Sequence, residues 1–166
     1  MALLKSTELL ATLRDKIIGS SAISTYISTH FHGSTLSVYT GMDQKNPPGE
    51  TNAPFCVFLP VSASLGETQD SHSYTFEVLV GVLDSTYEDW QSKSAIEMEG
   101  AYRLDDICHL MIEEFRELSS VQNWIADDIN LQMDSITYFP MHLGIISLTS
   151  AFSNVLGYDI KLTGAE

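Results

Sequence analysis

SYTFEVLVGVL, Ser73 to Leu83, places Tyr74, Phe76, Val78, Val80 and Val82 on one side without interruption. A two-residue period over eleven positions is the pattern of a β-strand with one face in a core. The other face, Ser73, Thr75, Glu77, Leu79, Gly81 and Leu83, passes from polar to apolar, so one end is expected to be solvated and the other packed. Upstream, residues 62–71 are turn-rich, and Pro54 to Val61 is apolar at nearly every position, as a strand covered on both faces and lying mid-sheet would be. Leu36 to Gly41 alternates as a short half-buried strand. Between these two strands, Met42 to Ala53 carries Gly, Asn, Pro47, Pro48 and Gly49, the composition of a long exposed loop.

Helices flank this group of strands. Leu9, Leu10, Leu13 and Ile17 recur at helical spacing between Ser6 and Gly19, with Ser6 or Thr7 as the cap. Ala22 to Phe31 reads as a second helix with Ile23, Tyr26 and Ile27 on one side, ending before Gly33. Downstream, Ser94 and Glu97 have capping-box spacing. From there Ala101, Leu104, Cys108, Met111, Phe115 and Leu118 form the apolar stripe of one long helix ending near Leu118. Ile129, Leu131 and Met133 then alternate, and the phase slips near Ser135, where a bulge would carry the strand on through Ile136, Tyr138 and Phe139 to Pro140. Leu143 to Phe152 makes a further strand, and Tyr158 to Leu162 a short edge strand. Strands grouped before and after one helix predict an α+β fold: a mostly antiparallel β-sheet with the long amphipathic helix and the N-terminal helices on one face, in a single domain over residues 1–166.

Twenty-two Asp and Glu against eight Lys and Arg leave a formal charge of −14. The basic residues Lys5, Arg14, Lys16, Lys45, Lys93, Arg103, Arg116 and Lys161 are scattered, which disfavours tight nucleic-acid binding. An acidic wall would instead let a polyanion pass without gripping it. Cys56 and Cys108 fall in apolar runs and are expected to be reduced, buried thiols. The charges in MALLKSTELLATLRDK do not suit a signal peptide, and no apolar run reaches the roughly 18 residues of a membrane span, so a cytoplasmic, membrane-free product is expected.

Several residue groups could carry chemistry, and each has a plainer reading. His30 and His32 form an H-x-H pair without further metal ligands nearby in sequence, and a helix end is the favoured reading. Cys108 and His109 are adjacent on a helix and so point about 100° apart, which leaves Cys108 as core. The pairs Asp105–Asp106, Glu113–Glu114 and Asp127–Asp128 read as solvated faces, because neighbours in one environment do not have their pKa values pushed apart. No phosphate-cradling loop or nucleophile elbow appears in the sequence, and neither an enzyme nor a bound cofactor is expected. A small cytosolic enzyme or ligand-binding domain using Tyr39, His30 or Cys56 in a pocket is the competing reading. The long polar loops 42–53 and 62–71 hold Asp43, Glu50, Glu67 and Asp70 and are candidate interaction segments, their plainer reading being ordinary solvent loops.

The whole order is an N-terminal helical pair, a short strand ending in Gly41-Met42-Asp43, and a proline-bearing loop into Ala53-Pro54-Phe55-Cys56-Val57. A long strand over Tyr74 to Val82, one amphipathic helix and a closing hairpin around Phe139-Pro140-Met141 follow. It resembles the tail terminator, or tail completion, proteins of long-tailed bacteriophages. That resemblance implies a structural virion protein, assembled in the host cytoplasm, that stacks as a homo-oligomeric ring, usually a hexamer, on the tail tube. Its partners would be further copies of itself, the tail tube protein and a head-neck connector protein, with DNA only passing through the lumen. Asp43, Glu50, Glu67 and Asp70 become candidates for ring-interface or lumen positions. A head-to-tail adaptor of the neck is the nearest alternative.

Overall fold

The computed structural model describes residues 5–65, 73–90, 95–121 and 124–152. Helix α1 runs Ser6–Gly19 and buries Leu9, Leu10, Leu13 and Ile17, the four residues its periodicity selects. Its cap is Lys5 rather than Ser6 or Thr7: the Lys5 backbone N–H donates to the Glu8 carboxylate (3.1 Å), an acid that also suits the positive helix start. Helix α2, Ser21–His30, is capped by the Ser20 hydroxyl, which accepts from the Ile23 N–H. It closes where the Gly33 N–H reaches back to the Ser28 carbonyl (2.9 Å).

Strand β1 is Ser37–Thr40, and β2, Phe55–Ser64, lies parallel to it. A parallel neighbour requires a crossover, which is why residues 41–54 form a long connection, with a short 3-10 helix at Glu50–Asn52. Only Phe55 to Phe58 of β2 are covered on both faces. From Pro60 onward the strand is exposed, because β1 stops opposite Phe58. This strand stands second from an edge, and it continues through Ser64, past the expected turn at residue 62.

Strand β3, Ser73–Leu83, is the centre of a five-stranded sheet ordered β1-β2-β3-β7-β6. A separate hairpin of β4, Tyr87–Trp90, and β5, Ala95–Met98, follows. The expected helix start near Ser94 is therefore displaced: Ser94 lies outside the described residues, Ala95–Met98 pairs with β4, and helix α3 spans Glu99–Val121. Cross-strand pairing thus overrides a capping pattern whose capping energy is only about 1 kcal/mol. In α3 the buried set is Leu104, Ile107, Cys108, Met111, Ile112 and Phe115, a wider stripe than the sequence spacing selected, while Leu118's side chain lies outside the description.

Strand β6, Trp124–Asp134, and β7, Met141–Phe152, form the closing hairpin. The bulge falls between Ala126 and Asp128 rather than at Ser135, and residues 135–140 are a turn rather than strand. Asp134 explains the stop: its carboxylate accepts from the N–H groups of Ile136 (3.1 Å) and Thr137 (2.9 Å), so the chain bends before another ladder pair can form. The expected strand over Tyr158 to Leu162 lies outside the described residues.

All three helices pack on one face of this sheet, giving the expected α+β, mostly antiparallel architecture. The core joins Leu10, Ile17, Ile23 and Ile27 of the N-terminal helices to Phe58, Phe76, Val78 and Ile146 of the strands, with α3 packed beside α1 on the same face. Phe58 and Phe115 meet edge to face at 6.3 Å. Each such large buried side chain contributes about 1.5–3 kcal/mol. On the opposite face, Phe55 lies over Gly81, its partner in register, beside half-buried Leu79, Leu143 and Ile145. The expected passage from a solvated polar end to a packed end of β3 holds as far as Gly81, beyond which Leu83 is partly exposed.

Candidate functional site

Two of the four acids singled out from the loops are described. Asp43 is exposed at the start of the β1–β2 connection, where its carboxylate accepts from the Lys45 N–H (2.9 Å) and the Asn46 amide (3.2 Å). Those bonds, the Lys45 one first, hold its pKa below the ordinary carboxylate value. Glu50 is exposed on the short 3-10 helix of the same connection. Among the described residues no hydrogen bond or ion pair joins the two, and Glu67 and Asp70 lie outside the description.

The residues of the competing pocket reading are spread apart. Cys56 pairs in register with Val38 and is fully buried in the helix-side core, whereas Tyr39 pairs with Val57 and projects from the other face. His30 is exposed and lies tilted against Tyr26, ring centroids 4.3 Å apart, and His32 adopts a positive φ of 53°. Cys108 faces the core, while His109 points outward to the Asp105 carbonyl (3.0 Å). Burial pushes both thiols up to about 12, Cys108 with a smaller push from Asp105. Among the described residues no group of three or more His, Cys, Asp or Glu could hold a metal ion, and no helix is long and apolar enough to cross a membrane.

The acidic pairs of α3 are not uniformly solvated. Glu113 is exposed, but Glu114 bonds the Ser20 hydroxyl and pairs with Lys16 (3.0 Å), and the Ser20 bond first and Lys16 second depress its pKa. Asp106 accepts from the Tyr26 hydroxyl (2.7 Å), and burial first and this bond second raise the Tyr26 pKa. Asp105 is partly exposed and Asp128 exposed, while the side chain of Asp127 lies outside the description. The acids that do contact α1 and α2 act as clips between helices.

A second polar cluster braces the end of the sheet next to the β6–β7 turn. Arg103 donates to Asp84 and Glu99, reaches the His30 carbonyl (3.3 Å) and lies over the Phe31 ring. Asp84 is almost fully buried, accepts from the Thr86 N–H (2.8 Å), and its carbonyl bonds Nε2 of buried His142 (3.1 Å). Glycine at position 100 makes room for that imidazole, since a Cβ there would stand 2.3 Å from Nε2. One guanidinium thus ties α2, β3 and the first turn of α3 together.

The turn held above this brace is the most conspicuous surface feature. Ile136, Tyr138 and Phe139 are 89%, 53% and 50% exposed. The turn is nevertheless well tied: besides the Asp134 bonds, the Met141 N–H donates to the Tyr138 carbonyl (2.8 Å) and the Asp84 N–H to the Pro140 carbonyl (3.1 Å). An ordered turn thus presents three large apolar side chains to solvent. Assignment of Ile136 to Phe139 to a strand concealed it, although Asp134-Ser135 before and Pro140 after carried the turn signal.

The other lateral edge of the sheet carries a hollow of about 220 Å³ where α1 and α2 meet β1. Ile17, Ile18, Ile23, Ile27, Leu36 and Val38 line it, and Ile18 on its rim is 60% exposed. Residues 17–42, which supply α2, β1 and this hollow, contain no Asp, Glu, Lys or Arg, and neither do residues 135–152 of the turn and β7. In a chain of charge −14, the turn and the hollow are built from uncharged sequence, whereas the edge strand β6 beside the turn carries Asp127, Asp128 and Asp134. No protein-family model matches this chain, and no curated protein shows significant similarity to it.

Proposed function

We propose that this chain is a structural virion protein of the tail-terminator kind. Copies close into a ring, a hexamer by the resemblance, on the end of a phage tail tube, stop its growth and present the surface on which the head-neck connector docks. The observation that carries this reading is the separation of charge from apolar surface. The exposed apolar turn of residues 135–140 and the α1–α2–β1 hollow come from segments without charged residues and lie on opposite sides of the sheet, although the edge strand β6 next to the turn carries Asp127, Asp128 and Asp134. Contacts that avoid placing like charges opposite one another favour self-association of an acidic protein. Acids left facing a lumen would let DNA pass without adhesion, and exposed Asp43 and Glu50 on the β1–β2 connection are the described candidates for that wall.

The test is assembly in the absence of the protein. Removing it is expected to yield tails of uncontrolled length or heads left unjoined, and tails of normal length carrying heads would refute the proposal. Labelled protein should lie at the head-proximal end of the finished tail tube. A label confined to the head side of the neck would assign the adaptor role instead.

A further inference from the structure

We infer that the contact closing the ring is a knob in a hollow: Ile136, Tyr138 and Phe139 of one copy enter the cleft lined by Ile17, Ile18, Ile23, Ile27, Leu36 and Val38 of the next. The inference rests on the ring reading and supplies its interface. Strand order is the first support. The turn emerges from β6 and β7 at one side of the sheet, and the cleft flanks β1 at the other. Four inter-strand steps of about 4.8 Å put these edges roughly 19 Å apart. Register is the second. Ser37, Phe55, Gly81 and Leu143 lie in one row across the sheet, so the start of β1 and the β6–β7 turn belong to the same end. A knob and a cleft on opposite flanks at one height are what a head-to-tail contact requires, and such contacts form rings when the rotation closes.

Charge is the third support and selects a second copy as the occupant. Two chains of −14 repel, and only surfaces free of carboxylates can approach without adding to that repulsion. Knob and cleft come from uncharged segments; beside the knob Asp134 is turned back onto the N–H groups of its own turn, and beside the cleft Glu114 bonds Ser20 of the lining and is paired with Lys16. One turn covers far less than the about 800 Å² per partner of a standard interface, so a single contact is weak and a closed ring gains from cooperation between contacts. Added salt, which shortens the reach of the repulsion to about 3 Å at 1 M, strengthens association rather than weakening it.

The experiment uses the full chain with Ile18→Asp and Ile136→Asp, two exposed positions whose replacement leaves the core intact. In sedimentation at high protein concentration and high salt, each variant alone is expected to associate at least about tenfold more weakly than the parent. Mixed, the two restore a dimer and nothing larger, because the knob of I18D meets the intact cleft of I136D. In parallel, Ile18→Cys and Ile136→Cys chains should form disulfide-linked pairs under mild oxidation when mixed and not when separate. Cys56 and Cys108 are buried and stay silent. Equal cross-linking of I136C with itself, absence of rescue on mixing, or a parent chain that does not associate would each overturn the contact. Rings or capped tails that persist in both Asp variants would discard this contact and leave the ring standing, whereas normal tails without the protein would remove the ring reading itself.

Discussion

Replacing Gly81 by alanine tests the second face of the sheet, where β2 and β3 are locked by an aromatic ring lying on a glycine. A Cβ at position 81 would stand 2.3 Å from Cζ and 2.4 Å from Cε1 of Phe55, a fully buried side chain. To regain a carbon–carbon separation of about 3.5 Å the ring must retreat roughly 1.2 Å. Close packing turns that retreat into about 1–3 kcal/mol of strain. Against it stands about 0.4–1 kcal/mol from the reduced freedom of the unfolded chain. The net expectation for G81A is therefore a loss of about 1–2 kcal/mol. Phe55→Ala alone should cost about 3–5 kcal/mol through the void it leaves. In the double variant the new methyl enters that void instead of striking the ring, so the combined loss should fall short of the sum by about 1–2 kcal/mol. Urea unfolding of the four proteins, followed by far-ultraviolet circular dichroism, measures the cycle. Additivity within about 0.5 kcal/mol, or G81A as stable as the parent, would refute the reasoning.

Arg103→Met leaves the nearly buried Asp84 carboxylate without its guanidinium, and denaturant unfolding should show a loss of about 3–5 kcal/mol, partly recovered when Asp84→Asn is added; equal stability of R103M and the parent would contradict the brace. Cys56 and Cys108, both buried and with thiols pushed up to about 12, should resist a thiol reagent at pH 8 until denaturant is added, and stoichiometric labelling of the folded chain would contradict that burial. Glu114 has a folded-state pKa below its ordinary 4.5, so its stabilising contribution is present above that value and is lost as pH falls through the lowered one. Ser20→Ala removes the first cause of the depression and should raise the Glu114 midpoint in a nuclear magnetic resonance titration, which an unchanged midpoint would contradict.

What could be read from the sequence tracks the range of the forces involved. Helix α1 and strand β3 were legible to the residue because their apolar positions repeat with the period of one element against one core. The start of α3 was not, since the pairing of Ala95–Met98 with Tyr87–Trp90 is a contact between segments that no local pattern announces. At Ser135 the slip in alternation was visible and its meaning was not. A bulge and a turn both break the period, and the choice was made by the Asp134 carboxylate capturing two backbone N–H groups. The candidate site was not legible: the sequence points to the acids of the two long loops and reads Ile136 to Phe139 as strand. Neutral stretches and scattered bases can be counted along the chain, but the strand order that sends the turn and the α1–α2–β1 cleft to opposite flanks is a property of the folded sheet.

Pro60 sits where β2 has outrun β1. The alternation that turns the Pro54 and Phe58 carbonyls toward β1 carries residue 60 to the same outer side, and there proline offers no N–H. The register shift between Pro60 and Ser62 bends the strand at the same place. A stray extended peptide trying to zip onto this rim would find a missing rung and a kink. The exposed end of β2 is thereby kept from seeding sideways growth into a ribbon.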